Sequence, residues 1–391
     1  MAVLHVDGMR GTALIFALVA SQVSAQTPSV WRLTPELRVG GPDKGEEYEF
    51  TRIARLAAAA NGSLYVFEFG RQEVRVFDGQ GRYVRTIGRR GGGPGEFREL
   101  VNIGLLGDTL WTIDRGLGRV SFFADDGKLV LEVPREVADQ PISSGQRFFG
   151  VSVSDLTPGG LAMGTALYTA AAVAAGLVPK APVLLLTRGG RTLDTLAWLA
   201  TKNSQMAFKI GDGGLFALQR FSDSPISIMA PAARRLLIVD RSVATSQRNA
   251  MFRVTALGLK RDTIWSRSYS YVPKRLEAAS VDSQLAANEK SWRLTRDRIR
   301  AQMFIPEFRT PIASGFAAPD GSLWLKREDG SRTVDYTVIA PNGNLVATLT
   351  LPRNVTLRAV VGDTVWGVET DADDVPSIVR YRINGSRGQT P

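Results

Sequence analysis

The sequence contains no cysteine and a single histidine, His5, and these absences remove several classes of active site. Without cysteine the chain has no disulfide, no thiolate zinc or iron–sulfur site and no thiol nucleophile. One histidine does not provide the set of imidazoles that holds zinc, copper or non-haem iron. Any catalysis therefore depends on carboxylates, tyrosine, lysine, arginine or serine, or on an ion with oxygen ligands.

The first 25 residues have the pattern of a secretory signal peptide. Arg10 precedes the apolar run from Thr12 to Ala20, and Val23-Ser24-Ala25 is a small-x-small cleavage motif before Gln26. The run is about half as long as a bilayer span, so a membrane anchor is the less favoured interpretation. We predict a periplasmic or secreted protein, and cleavage would also remove His5 and with it any Ser-His-Asp triad.

The chain is basic, with a formal net charge of +10 at pH 7. Nucleic acid is the usual partner of such a protein, but an exported protein meets little of it. We therefore expect an acidic envelope component or an acidic protein as the partner, no nucleic acid, and a monomer. The uncharged stretch 161–179 contains glycines and threonines that lower its mean hydropathy, so we predict buried strands there rather than a stable membrane span.

A strand-rich segment recurs 46 residues further along the chain. Three positions of the two copies match without a gap: Leu64, Glu68 and Gly81 correspond to Leu110, Asp114 and Gly127. Each copy has short alternating strands separated by turn residues, which is typical of a propeller blade. Weaker copies begin near four further positions, which gives six blades in all: Gly160, Leu236, Asp320 and Val361.

The segment from Leu64 to Phe97 resembles the repeat of NHL-type six-bladed β-propellers. Repeats of that family commonly end in Gly-x-Gly-Pro-Gly-x-Phe, and this chain has Gly91-Gly92-Gly93-Pro94-Gly95-Glu96-Phe97. The layout of the chain also resembles bacterial exported six-bladed propellers of unassigned function. The resemblance implies the fold, whereas the histidine-ligated metals of the family's enzymes have no counterpart in this chain.

We predict an all-β fold, a six-bladed β-propeller over residues 26–386, between the signal peptide (1–25) and a disordered tail (387–391). The segment Trp31–Val39 has no repeat of its own and is predicted to provide the outer strand of the last blade, which closes the ring. Residues 273–304 are predicted to form one amphipathic helical insert before the fifth blade. Its apolar positions recur at helical spacing: Val281, Leu285, Trp292, Ile299 and Met303.

Two pairs of arginines are candidate ligand-binding residues. Arg89 and Arg90 precede the glycine-rich loop, which is interpreted either as a backbone nest for phosphate or as a tight crossing between blades. The absence of a following helix pattern favours the crossing. Arg293 and Arg296 lie in the basic half of the insert, which is either a lid or docking helix for an acidic partner, or a helix packed on the propeller.

Four acidic residues occur at one repeat position, the end of the second strand of a blade: Glu68, Asp114, Asp240 and Glu369. They either form a ring of carboxylates that holds Ca²⁺ or performs acid–base chemistry, or cap turns by accepting backbone N–H bonds. Because they follow the repeat, we interpret them as structural.

These observations favour an exported, non-catalytic binding or scaffold propeller that engages an acidic ligand or protein partner at a channel mouth or at the helical insert. No catalytic residue, metal site or cofactor is predicted, and Ca²⁺ at the acidic positions remains the open alternative. A carboxylate-dependent glycan hydrolase or lyase of the cell envelope is the alternative function, because paired carboxylates perform such chemistry without histidine.

Overall fold

The computed structural model describes residues 28–41, 44–138, 150–157, 162–167, 180–187, 191–210, 213–230, 234–246, 250–327 and 332–385. The predicted signal peptide and the predicted tail lie outside these ranges. Among the helices that these ranges contain, none is long and apolar enough to cross a membrane.

The first half of the chain forms two amino-terminal strands and three blades. The amino-terminal strands are β1 (Ser29–Val30) and β2 (Arg32–Val39). The first blade comprises β3 (Ile53–Ala58), β4 (Leu64–Glu68), β5 (Glu73–Phe77) and β6 (Tyr83–Ile87). The second comprises β7 (Leu100–Leu106), β8 (Thr109–Asp114), β9 (Arg119–Phe123) and β10 (Leu129–Pro134). The third comprises β11 (Glu136–Ala138), β12 (Gly150–Leu156), β13 (Ala162–Leu167), β14 (Lys180–Leu186) and β15 (Thr192–Ala200).

The second half forms a hairpin, three further blades and two helices. The hairpin comprises β16 (Gln205–Ile210) and β17 (Gly213–Leu218). The fourth blade comprises β18 (Ile226–Ala230), β19 (Arg235–Asp240), β20 (Met251–Gly258) and β21 (Thr263–Ser270), and is followed by α1 (Ala278–Trp292) and α2 (Arg296–Gln302). The fifth comprises β22 (Ser314–Ala317), β23 (Leu323–Arg327), β24 (Thr333–Ile339) and β25 (Leu345–Pro352). The sixth comprises β26 (Val355–Val361), β27 (Thr364–Thr370) and β28 (Pro376–Asn384).

The predicted six-bladed β-propeller is confirmed. Successive strands of each blade pair antiparallel, and each blade packs on the next through a shared apolar cluster. Tyr65 and Trp111, which occupy matching repeat positions, are buried in two of these clusters. Because one blade cannot bury both of its faces, this packing between neighbours provides the core of the fold.

The amino-terminal segment closes the ring, as predicted. β2 pairs antiparallel with β28, with Arg32 opposite Asn384 and Val39 opposite Ile378. β1 pairs parallel with β25, the outer strand of the fifth blade. A single segment therefore adds an edge strand to two adjacent blades, which ties the start of the described chain to its end.

The predicted helical insert is confirmed before the fifth blade, but the expectation of one continuous helix is wrong. α1 ends at Trp292, and the next residue, Arg293, has a left-handed φ of 56° and donates its N–H to the carbonyl of Glu289. A residue in this conformation terminates a helix, so α2 begins separately. The insert packs against the β16–β17 hairpin through a small core of its own: Met206, Phe208, Val281, Leu285, Ile299 and Met303.

Removing residues 28–39 is expected to lower the melting temperature by several degrees relative to a chain that begins at Pro28. The truncation leaves β28 without its partner strand and exposes Ile378 and Tyr381, which are buried in the intact ring. Scanning calorimetry of the two proteins measures the difference. Equal melting temperatures would contradict the role of β2 in closure.

Candidate functional site

The first complete strands of the six blades surround a central cavity of about 450 Å³. Five of these strands (β3, β7, β18, β22 and β26) begin their blades, and in the third blade β12 takes this place beside the short β11. Each of the six contributes a polar side chain to the cavity wall: Arg55, Asn102, Asp155, Ser227, Ser314 and Arg358. We call this set the channel site.

Local irregularities of the strands position four of these side chains. The pairing register shifts by one residue immediately before Arg55, Asn102 and Asp155, and in the sixth blade Arg358 is itself the extra residue. A bulge bends a strand and turns a side chain away from the regular alternation, which is why bulges occur beside binding sites. In a regular strand successive side chains alternate between the two faces. An extra residue shifts this alternation, so the bulges determine which side chains face the channel.

A chain of hydrogen bonds joins the first three blades along the channel wall. Nε of Arg55 donates to Oδ1 of Asn102 at 3.2 Å, and Nδ2 of Asn102 donates to the carbonyl of Ser154 at 3.1 Å. The backbone N–H of Ile103 also donates to Oδ1 of Asn102, at 3.1 Å. Asn102 therefore holds the guanidinium of Arg55 in place at the channel.

Asp155 is the acidic group of the channel site. Burial raises the pKa of its carboxyl to about 6, while the N–H of Leu156, 2.8 Å from Oδ1, and the positive charge of Arg55 act in the opposite direction. The carboxyl is therefore ionised at neutral pH and becomes neutral in mild acid. Such a group changes the net charge of the cavity within an ordinary pH range.

Arg358 is the cation of the channel site whose charged form is destabilised by its surroundings. Burial lowers the pKa of its guanidinium, and the nearby charge of Arg55 lowers it further, against a smaller effect of Tyr336. Its Nε is buried and has no hydrogen-bond partner among the described residues. A half-buried cation without an acidic partner carries a desolvation cost, and an anion bound in the channel would lower that cost.

The balance of charge in the described cavity wall is positive. Arg55, Lys326 and Arg358 line the cavity together with one carboxylate, Asp155. Nζ of Lys326 also lies 3.4 Å from Oγ1 of Thr356. The arrangement is suited to binding a small anion by charge-assisted hydrogen bonds, with guanidinium groups that match the geometry of carboxylate or phosphate.

Two of the repeat acids, Glu68 and Asp114, are fully buried and accept several hydrogen bonds. Glu68 accepts from Oγ1 of Thr51 at 2.6 Å and from the N–H of Gly70 at 2.8 Å. Asp114 accepts from the N–H of Arg98 at 2.7 Å. Both carboxylates therefore bond to the segment that leads into the first strand of their own blade.

The other two repeat acids have different surroundings. Asp240 is exposed and accepts a hydrogen bond from Oγ of Ser242 at 2.8 Å. Glu369 forms an ion pair with Arg38 of β2 and accepts a hydrogen bond from the hydroxyl of Tyr381. None of the four lines the channel cavity, and the described residues contain no group of three acidic or histidine side chains placed to hold a metal ion.

The hydrogen-bonding groups at the glycine-rich loop are bonded to other groups of the protein. Nε of Arg89 lies 2.8 Å from Oε1 of Glu96, whose other oxygen accepts the N–H of Gly93 at 2.8 Å. The Gly93 bond and Arg89 hold the pKa of Glu96 below its usual range. Nη2 of Arg90 donates to the carbonyl of Gly70 at 2.9 Å. Arg89 and Arg90 are therefore engaged by their own surroundings rather than placed in the channel.

The arginines predicted in the helical insert also lie apart from the channel site. Arg293 is the exposed residue that directly follows α1. Arg296 lies 2.5 Å from Asp282 and 3.8 Å from Glu289, both on α1. The structure brings neither residue together with Arg89 or with the cavity.

Sequence reasoning missed Arg55, Asp155 and Arg358. The available signal was a charged residue within an otherwise apolar first strand, as in Ile53-Ala54-Arg55-Leu56 and Leu357-Arg358-Ala359-Val360. Such residues form no sequence motif, because the other residues of the site come from other blades and are distant in the sequence.

A sequence profile described as a six-bladed β-propeller family matches residues 45–116, which contain the first blade and the strands β7 and β8 of the second. No curated protein sequence matches this chain. The finer resemblance to NHL-type repeats stays a prediction.

Solved structures of several propellers are similar to this chain at low identity. A Bacteroides fragilis protein described as exported is 12% identical, with coverage of 91% of this chain and 96% of that one and a TM-score of 0.45. An inactive virginiamycin B lyase from Staphylococcus aureus with quinupristin is 10% identical, with coverage of 90% and 99% and a TM-score of 0.42. The calcium-binding protein regucalcin from Agrobacterium tumefaciens is 12% identical, with coverage of 91% and 97% and a TM-score of 0.39. At identities this low, the similarity to these structures is one of fold alone.

Replacing Glu68 with glutamine or Asp114 with asparagine is expected to lower the free energy of unfolding by about 2 kcal/mol each, because each loses charge-assisted bonds to buried N–H groups. Chemical denaturation measures the loss. Replacing exposed Asp240 with asparagine is the matched control and is expected to cost less than about 0.5 kcal/mol. An unchanged stability in all three variants would contradict a structural role for the buried acids.

Proposed function

We propose that this protein is a non-catalytic binding propeller that takes a small anionic ligand in its central channel. The observation that carries the proposal is the convergence of Arg55, Lys326 and Arg358 on one cavity whose described wall contains a single carboxylate, Asp155. The cations come from the fifth, sixth and first blades, which are consecutive in the closed ring, so they lie on one side of the channel and a single ligand could contact all three. An oxyanion would accept hydrogen bonds from both guanidinium groups at once.

The size of the cavity is consistent with this use. Its volume of about 450 Å³ lies within the range of roughly 300–1,000 Å³ typical of small-molecule sites. The wall also includes apolar groups, among them Leu56, Ile228 and Phe316. The guanidinium groups would accept any small oxyanion, and we expect an organic anion with some apolar surface, such as an acidic sugar or a small carboxylic acid, to bind more tightly than an inorganic one.

The alternative, a glycan hydrolase or lyase, has less support. Glycosidases use two carboxyl groups that are about 5 Å or about 6.5–9.5 Å apart across the scissile bond. The described wall of the cavity offers only Asp155 for this purpose. No observation places a second carboxyl beside it, so binding is the function that the geometry favours.

We place this function outside the cytoplasm, on the pattern of the first 25 residues. Acidic envelope glycans and small organic acids are then the available ligands, and the positive net charge of the chain would attract them. A thermal-shift screen of the chain from Gln26 with uronic acids, mono- and dicarboxylates, phosphate and Ca²⁺ would identify the class. A ligand at a hundred times its Kd stabilises the folded state by about 2.7 kcal/mol.

Replacing Arg358 with glutamine is expected to raise the Kd of the tightest-binding anion of that screen by about tenfold or more. The substitution removes a charged donor, and hydrogen bonds from charged groups contribute about 1.5–3 kcal/mol. Isothermal titration calorimetry measures the change. Arg293→Gln removes the same charge outside the cavity and should leave the Kd unchanged; equal loss in both variants would contradict a channel site.

Anion binding is expected to strengthen as the pH falls from 7.5 to 5. Above about pH 6 the Asp155 carboxylate is negative and opposes an anion held by Arg55 and Arg358; below it the carboxyl is neutral and the net positive charge of the cavity rises. The Kd of a sulfonate or sulfate, which stays ionised throughout, measures the effect. The Asp155→Asn variant should have the same Kd for this anion at both pH values. A pH dependence of the Kd that persists in this variant would show that another group titrates.

A further inference from the structure

The fifth blade breaks the acidic repeat. In the second and sixth blades an acid follows the recurring tryptophan by three residues, as Asp114 follows Trp111 and Glu369 follows Trp366. The residue three positions after Trp324 of the fifth blade is Arg327. The charge at this repeat position is therefore reversed in one blade.

Arg327 lines a second cavity, of about 250 Å³, at the base of the helical insert. We call it the base pocket. Its wall combines the end of β23 and the facing part of β24 with the two segments that lead into and out of the insert. The residues that matter for its chemistry are Tyr271, Val272, Lys274, Arg309, Arg327 and Asp335.

The two segments at the base of the insert are held together by backbone pairing. The N–H of Arg309 donates to the carbonyl of Lys274 at 2.8 Å, and the N–H of Leu276 donates to the carbonyl of Glu307 at 2.9 Å. This pairing fixes Lys274 and Arg309 side by side at the pocket. The cations of the base pocket are thus placed by regular backbone contacts and not by loop geometry alone.

The cations of the base pocket retain hydrogen-bonding capacity. Nη2 of Arg309 donates to Oγ of Ser280 at 2.7 Å, whereas its Nε is buried and has no partner among the described residues. The guanidinium of Arg327 lies 5.9 Å from the ring centroid of Tyr271 and forms no hydrogen bond or ion pair within the described part of the chain. A cation stacked near a ring keeps its N–H groups available for an anion.

Two acidic groups lie near these cations: Asp335 lines the pocket directly opposite Arg327 in the pairing of β23 with β24, and Glu277 lies beside Arg309. Oδ1 of Asp335 accepts a hydrogen bond from Oγ1 of Thr350 at 2.6 Å. Glu277 lies 3.7 Å from Arg309 and is mostly exposed, so solvent screens that pair. With Lys274, Arg309 and Arg327 against the single carboxylate of Asp335, the described wall of the pocket has an excess of positive charge.

Apolar groups stand beside these cations. Tyr271 and Pro311 are buried in the wall, and Val272 is 71% exposed. A large exposed valine beside two arginines suits a ligand that has a hydrocarbon body and one anionic group. A bare phosphate would leave this apolar surface in water.

We propose that the base pocket binds a small organic carboxylate, with Arg327 and Arg309 on the carboxylate and Tyr271 and Val272 on the hydrocarbon body. This site is separate from the channel site. Lys326 lines the channel while Arg327, the next residue of β23, lines the base pocket, because successive residues of a strand point to opposite faces. The proposal therefore does not depend on binding in the channel.

The test measures the binding of 4-fluorobenzoate to the full chain through the broadening of the ligand's ¹⁹F resonance. Arg327→Gln is expected to weaken binding at this site by about tenfold or more, and Arg327→Lys is expected to recover part of the affinity because it keeps the charge without the planar fork. Arg353→Gln is the matched control: Arg353 is exposed and lies outside both cavity walls. Inorganic phosphate should compete weakly.

The channel variant Arg358→Gln separates the two sites. If benzoate binds in the base pocket, the affinity that Arg327→Gln removes is retained in Arg358→Gln. The proposal is overturned if Arg327→Gln and Arg353→Gln bind 4-fluorobenzoate equally, or if only Arg358→Gln weakens it. It is also overturned if the wild-type chain binds no better than Arg327→Gln, since Arg327 would then make no contact with the carboxylate.

Discussion

The pairing of β2 with β28 is the constraint on which the rest of the structure depends. Only a closed ring brings the first strands of all six blades to a common axis, and only then do Arg55, Asp155 and Arg358 belong to one cavity. The same segment also adds β1 to the fifth blade, so two neighbouring blades are tied at once. The channel is therefore a product of closure and not of any single blade.

Closure also explains why the channel can hold an electrostatic arrangement that would be costly elsewhere. The apolar clusters lie between blades and provide the stability, which leaves the axis free of a packing role. The guanidinium of Arg358 is half-buried near another cation, and its buried Nε lacks a partner in the described structure. Proteins keep such local costs mainly where they serve a function.

The fold could be predicted from the sequence because a repeat carries its own register. The 46-residue spacing from Leu64 to Leu110 located the blades, and the unpaired Trp31–Val39 segment located the closure. The channel site could not be predicted in this way, since its residues come from strands with no repeat signature and are positioned by bulges. The break between α1 and α2 was missed because the apolar spacing continues across it. The reversal at Arg327 was visible in the sequence, but its meaning depended on Arg309 and Lys274, which approach it only in three dimensions.

Anion binding in the channel is tested most directly by a crystal structure of the protein soaked in selenate, a small oxyanion whose selenium can be located by anomalous scattering. We expect an anomalous peak in the channel within hydrogen-bonding distance of the guanidinium groups of Arg55 and Arg358. The contradicting result is an empty channel in crystals where selenate occupies only sites on the outer surface of the blades.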